Sequence, residues 1–166
     1  FSVSNLSLHG ESGVIAAQFE PLSRYDDGSL MWVLTNFTRN FTKCSKTAYS
    51  IKNSPASIEP EHKIKVRRIG SSVEIDNGVM RFRIDTVNFT GIDSLHYKGK
   101  AIIGGRSGGF YLKSHTLDSV LVNGPVTMAK FIYSGPIRVT YRIEGMFYKG
   151  SCGGIGYSWT ITTFAG

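Results

Sequence analysis

No stretch of this 166-residue chain approaches the ~20 consecutive apolar residues that a membrane-spanning helix needs. A helical membrane span is thereby excluded, and the 41% of apolar residues remain to build a core. Cysteine is nearly absent. Cys44 and Cys152 are the only two and form no Cys-x-x-Cys pair, and His9, His62, His96 and His115 share no ligand spacing, so there is no metal signature. Helical periodicity is missing too: no 3.6-residue apolar stripe stands out along the chain. The sequence starts at Phe1 with neither a methionine nor a charged-then-apolar leader, as expected of a secreted protein whose signal peptide has been removed. Acid is scarce beside base, 12 Asp and Glu against 19 Lys and Arg, for a formal net charge of +7. Such a balance attracts anionic partners at long range, although soluble domains without an anionic ligand carry it as well.

What is present instead is alternation. Tyr157-Ser158-Trp159-Thr160-Ile161-Thr162 places its large apolar residues on one face, and Ile137 to Glu144 does the same. Val73-Glu74-Ile75-Asp76, then Asn77-Gly78, then Val79 to Ile84 predicts a hairpin, with Asn-Gly supplying the positive φ values of a type I′ turn. Further breaks fall at Asp26-Asp27-Gly28, Lys98-Gly99-Lys100, Gly104-Gly105, Gly124-Pro125 and Gly135-Pro136. Short strands between such turns predict an all-β chain, an antiparallel β-sandwich. Two prolines within Asn53–Glu61 mark a linker at 55–61 between a small, incomplete β domain (1–54) and a larger antiparallel β-sandwich domain (62–166). A leading piece that small is marginal alone and has to lean on the larger one or on another chain.

Asn5-Leu6-Ser7, Asn36-Phe37-Thr38, Asn40-Phe41-Thr42 and Asn88-Phe89-Thr90 are four acceptor triplets for N-glycosylation among seven asparagines. Roughly one residue in five is Ser or Thr, so chance provides on the order of one such triplet. The excess points to glycans on Asn5, Asn36, Asn40 and Asn88 and to an extracellular, secreted protein. Accidental triplets on a Ser/Thr-rich surface are the alternative. If 36–42 is extended, Phe37 and Phe41 share one face, and Asn36 and Asn40 share the other about 13 Å apart. In a secreted setting Cys44 and Cys152 allow one disulfide, tying the leading piece to a late strand; two buried free thiols are the alternative.

Catalytic machinery is not legible. Glu20, Asp26, Asp27, Asp76, Asp85, Asp93, Asp118 and Glu144 are scattered over turns and polar strand faces rather than paired. Asp93-Ser94-Leu95-His96 holds acid, hydroxyl and imidazole, but nearness in sequence does not make a triad. Gly104-Gly105-Arg106-Ser107-Gly108-Gly109 lacks the Gly-Lys-Ser/Thr ending of a phosphate loop and leads into a strand. No catalytic, metal-binding or cofactor-binding residue is assigned. Basic residues cluster more suggestively. Lys63, Lys65 and Arg67 share a strand face, as do Arg81 with Arg83 and Arg138 with Arg142. If those strands adjoin, they form a cationic face suited to an acidic polysaccharide. Solvated strand faces are the plainer alternative, and nucleic acid is not indicated because no recognised binding module accompanies the charge.

The run Ala17-Gln18-Phe19-Glu20-Pro21-Leu22-Ser23-Arg24-Tyr25-Asp26-Asp27-Gly28-Ser29-Leu30-Met31-Trp32-Val33-Leu34 resembles the N-terminal β region of exo-rhamnogalacturonan lyase-like proteins. Val73 to Ile84, Asp93-Ser94-Leu95, Lys98-Gly99-Lys100, Gly108 to Leu112, Gly135 to Val139 and Ile143-Glu144-Gly145 follow in the order of that family's second β domain. The resemblance covers most of the chain and implies a β architecture and an extracellular habitat. The family's catalytic helical toroid has no counterpart in these residues, and neither does its opening Gly-Val-Pro-type strand. The resemblance therefore brings no catalytic residue.

Two functions follow as expectations. One is a non-catalytic glycoprotein with a structural, assembly role, in which Phe1-Ser2-Val3-Ser4 is donated as a strand to the next copy. Donation of that kind is head-to-tail and builds a filament unless it closes into a ring. The other is the carbohydrate-facing β-scaffold of an exo-rhamnogalacturonan lyase-like polysaccharide lyase. A native polypeptide several hundred residues longer, with helical periodicity, would favour the second.

Overall fold

The computed structural model describes residues 2–40, 42–105, 108–113, 120–149 and 152–166, and their side chains except at 120–123, 149, 152 and 153. Phe1, Phe41, Arg106, Ser107, His115 and Asp118 lie outside the described residues. Apart from one 3-10 turn at Val3–Asn5, the regular structure described is all strand, in order β1 Leu6–Gly10, β2 Gly13–Ile15, β3 Ala17–Arg24, β4 Leu30–Phe37 and β5 Ser50–Asn53. After the strand-free stretch 55–61 come β6 Lys65–Ile69, β7 Ser72–Asp76, β8 Met80–Asp85, β9 Ser94–Tyr97, β10 Lys100–Ile103, β11 Tyr111–Lys113, β12 Val120–Ser134, β13 Arg138–Lys149 and β14 Cys152–Phe164. They form four antiparallel sheets, ordered β2-β1-β5, β3-β4, β10-β9-β8-β7-β6 and β11-β12-β13-β14.

Alternation decides which faces meet. Val73 and Ile75 of β7, and Phe82 and Ile84 of β8, form one buried core with Val139, Tyr141 and Ile143 of β13. Trp159 and Ile161 of β14 pack against that core. The five-stranded and four-stranded sheets thus face each other as an all-β, sandwich-like fold. Val73, Ile84, Tyr141 and Ile143 are 0% exposed, and burial of such side chains contributes about 1.5–3 kcal/mol each.

The hairpin joining β7 to β8 forms where the sequence places it, but with different turn chemistry. Positive φ is found at Gly78 (94°) and not at Asn77, so the loop is Gly78-Val79, with glycine at the first central position as in type II′. The side chain of Asn77 explains the shift. Its Oδ1 accepts from the N–H groups of Val79 (3.0 Å) and Met80 (2.6 Å), replacing the backbone carbonyl. That carbonyl is free to accept from Gly166 N (3.0 Å), while Nδ2 donates to Thr163 Oγ1 at 3.1 Å. The type I′ pattern occurs instead at Lys98 (φ 48°) and Gly99 (φ 78°), a two-residue loop between the paired Tyr97 and Lys100.

Two phenols, Tyr141 buried and Tyr157 half-buried, carry a measurable consequence. The hydroxyls of Tyr141 and Tyr157 are buried and have no hydrogen-bond partner among the described residues. Burial raises both above the ordinary tyrosine range; at Tyr141 the nearby Arg68 charge opposes that rise. A phenol raised in the folded state ionises first in the unfolded chain, so its stabilisation is complete below pH ~10 and is lost as pH climbs beyond it. Tyr141→Phe removes an unpaired buried hydroxyl, and we expect a change between neutral and about 1 kcal/mol stabilising, with alkaline unfolding moved to higher pH. Denaturant titrations at pH 7 and pH 11 check this. A loss of stability at both would contradict it.

Candidate functional site

The acceptor asparagines occupy unequal positions. Asn88 is exposed because its neighbour Phe89, 1% exposed, is driven into the core, stacking near Trp159 (4.8 Å between ring centroids) and Phe110 (5.6 Å). Asp85 fixes the bend, its Oδ1 accepting from the backbone N–H of Val87 (2.9 Å) and Asn88 (3.0 Å). Asn5 and Asn40 are exposed too, and Asn40 borders an open cleft of about 890 Å³ with Arg39, Glu61 and His62. Asn36 differs. It is half-buried in β4 opposite Gln18, and its Nδ2, the atom a glycan would use, is covered and has no hydrogen-bond partner among the described residues. The extended run expected over 36–42 ends early, since β4 stops at Phe37 and Thr38 to Asn40 are not strand. Cys44 is exposed, with positive φ (60°), and forms no disulfide among the described residues, while the Cys152 side chain lies outside them.

The basic residues divide between the two sheets. Lys65, Arg67, Arg81 and Arg83 stand on the solvent face of β6 and β8, alternating with Val66, Phe82 and Ile84. Those strands do not adjoin. β7 runs between them, setting Asp76 between Lys65 and Arg81, and Glu74 between Arg67 and Arg83. The face is therefore a banded ladder of base, acid and base, with a shallow recess of about 100 Å³ at Lys65, Arg67, Glu74, Asp76 and Arg81. Lys63 lies before β6 and pairs with Glu59 at 2.6 Å. Arg138 and Arg142 belong to β13 in the opposite sheet, each beside its own carboxylate, Glu20 and Glu144 respectively. One continuous cationic face across all seven residues is not formed.

Several carboxylates and imidazoles make contacts within the fold. Asp85 and Asp93 are buried, the latter accepting from Thr90 Oγ1 at 3.2 Å. His9 shares a hydrogen bond with Ser7 Oγ (2.9 Å), and His62 lies 4.0 Å from Glu61. His96 sits on β9 opposite Arg81, its Nδ1 buried and without a hydrogen-bond partner among the described residues. Among the described residues no group of three or more His, Cys, Asp or Glu could hold a metal ion, and no helix is long and apolar enough to cross a membrane.

The leading segment does lean on the larger body, through a residue the sequence did not flag for this role. Gln18 of β3 is 7% exposed and reaches the turn before β13. Its Oε1 accepts from the N–H groups of Ile137 (2.7 Å) and Arg138 (2.9 Å), and its Nε2 donates to the Arg138 carbonyl at 3.0 Å. A Cβ at Gly135 would fall 2.4 Å from the Gln18 amide, so the glycine makes room for the clamp. Glu20 pairs with Arg138 at 2.7 Å, and Tyr133 donates its hydroxyl to the Phe19 carbonyl at 3.0 Å. All of these contacts use β3. Among the described residues its partner β4 pairs only with β3, and it displays Trp32 at 68% exposure. The expected donor strand is arranged otherwise: Val3–Asn5 is coiled into a 3-10 turn capped by Ser2, and Leu6 to Leu8 pair within β2-β1-β5.

No family model matches the chain, and no curated protein matches it.

Proposed function

We propose that this chain is a non-catalytic, secreted and N-glycosylated β-sandwich protein with a structural role, a subunit that assembles head-to-tail with copies of itself into an extracellular filament. The observation that carries this reading is the two-stranded sheet β3-β4, clamped to the sandwich through β3 and left, among the described residues, with an unpaired, uncharged β4 edge. An isolated two-stranded sheet is marginal in water, and an open apolar edge invites another strand. Glycans on Asn5, Asn40 and Asn88 suit a long-lived extracellular surface, with Asn36 taking one only if its amide turns outward. Donation of residues 1–4 to a neighbour requires the Val3–Asn5 turn to open first.

Intact-mass analysis of the native protein before and after glycosidase treatment checks the modification. The expected result is a mass loss that maps to Asn5, Asn40 and Asn88; an unmodified mass in secreted material would overturn it. The same digest, left unreduced, tests a Cys44–Cys152 bridge. Assembly is read from the size of the native particle in solution.

The second reading is the β-scaffold of an exo-rhamnogalacturonan lyase-like enzyme, with acidic polysaccharide as the partner. It is favoured by the row of Lys65, Arg67, Arg81 and Arg83 on one sheet face, although Glu74 and Asp76 divide that row. A native polypeptide extending hundreds of residues into helical sequence would support it, as would salt-sensitive binding of oligogalacturonate lost on Arg81→Ala.

A further inference from the structure

Among the described residues four sheets present eight edges, and six of them are blunted. β2 and β11 are three residues long, and β11 ends in Lys113. β5 carries Lys52, β10 carries Lys100, and β6 carries Lys65, Arg67 and Arg68. β3 carries Glu20, Pro21 and Arg24 and is engaged through Gln18. Short length, lysine and proline are the devices by which proteins keep sheet edges from pairing with other chains. Two edges have none of them. β4, Leu30–Phe37, has eight residues without charge, proline or glycine. β14, Cys152–Phe164, has 13 residues without charge or proline. Among the described residues β4 pairs only with β3, and β14 only with β13.

We infer that β4 of one copy adds to the open edge of β14 in the next. This rests on the assembly reading above and names the surfaces that would carry it. The occupant is a second copy because one contact of this kind covers both unprotected edges of every subunit. Pairing of β4 with itself would make a closed two-fold dimer and leave β14 exposed, and pairing of β14 with itself would leave β4. The lengths are compatible, since eight extended residues span about 26 Å and 13 span about 43 Å. Neither strand brings a charge to the junction, so the +7 net charge does not oppose the contact at close range. Exposed Met31 and Trp32 on β4, and Ile155 and Phe164 on β14, supply apolar surface on either side of the new ladder. Unlike edges joined head-to-tail leave one of each free at the ends, so growth continues.

Charging each edge separately tests this. Met31→Lys with Trp32→Lys blocks β4 while sparing every buried residue; Ile155→Lys with Ser158→Lys blocks β14, the second lysine opposite Glu144. Each variant alone should lose all species larger than the monomer. Mixed one to one, they should form a particle of twice the monomer mass and nothing longer, because one retains β14 and the other β4. A pair that dimerises in this way is also folded at its intact edge. In the wild-type polymer, the β4 and β14 amides should exchange with deuterium far more slowly than in the monomer. If either variant elongates like wild type, or the mixture stays monomeric, the edge pairing is wrong. A wild-type protein that never assembles removes the assembly reading itself, whereas a polymer indifferent to both variants removes only this inference.

Discussion

Replacing Gln18 with alanine is expected to release β3 and β4 from the sandwich while the larger sheets stay folded. The substitution removes one acceptor serving two backbone N–H groups, at Ile137 and Arg138, and one donor to the Arg138 carbonyl. Buried backbone donors left unpaired cost about 1–3 kcal/mol each, so the local loss should reach about 2–5 kcal/mol. The Arg138–Glu20 pair and the Tyr133–Phe19 bond do not replace it, because both depend on the position that Gln18 holds. Hydrogen exchange across 17–37 should accelerate by a hundredfold or more, and proteolysis at 54–60 should follow. Gln18→Glu keeps the acceptor but, ionised, sets its second oxygen against the Arg138 carbonyl and buries a charge, so it should destabilise at neutral pH and recover toward wild type as the carboxyl is protonated. Equal effects of alanine and glutamate at a pH where the carboxyl is protonated would show that the N–H groups are not what the side chain serves.

Asn77→Ala should be the most damaging single change in a turn. Asn77 is 5% exposed and accepts from two backbone N–H groups while donating to the buried Thr163 hydroxyl. Its loss leaves Val79, Met80 and Thr163 without those partners and loosens the carbonyl that holds Gly166. We expect about 2–4 kcal/mol of destabilisation in a denaturant titration. Asn77→Asp keeps the acceptor oxygen, and the Thr163 hydroxyl can turn to donate to the second one, but a charge is then buried, so the variant should be destabilised by less than alanine. If Asn77→Ala costs less than about 1 kcal/mol, the backbone alone sets the turn.

These two residues also mark where the sequence stops being legible. Alternation at Val73 to Ile84, Ile137 to Glu144 and Tyr157 to Thr162 was sufficient for the all-β class, because a period of two fixes which side chains face inward. It also showed that Lys65 and Arg67 share a face, as do Arg81 and Arg83. It carried no information on sheet order, and so could not reveal that β7 interposes Glu74 and Asp76 between those pairs, or that β13 lies in the other sheet. The Asn-Gly turn was visible but its type was not, since the deciding partners, Thr163 and Gly166, are 86 and 89 positions away from Asn77. Gln18 was hidden for the same reason, its partners lying 119 and 120 positions on. The sequons were legible as motifs, yet only burial separates Asn36 from Asn5, Asn40 and Asn88.

The measurement that bears most directly on the structural role is sedimentation velocity of the native glycoprotein over a wide concentration series, with electron microscopy of the fastest fraction. A head-to-tail assembly predicts a boundary that shifts to larger species as concentration rises, and filaments of uniform width in that fraction. A single slow boundary at the monomer mass, unchanged to the highest concentration, would contradict the account.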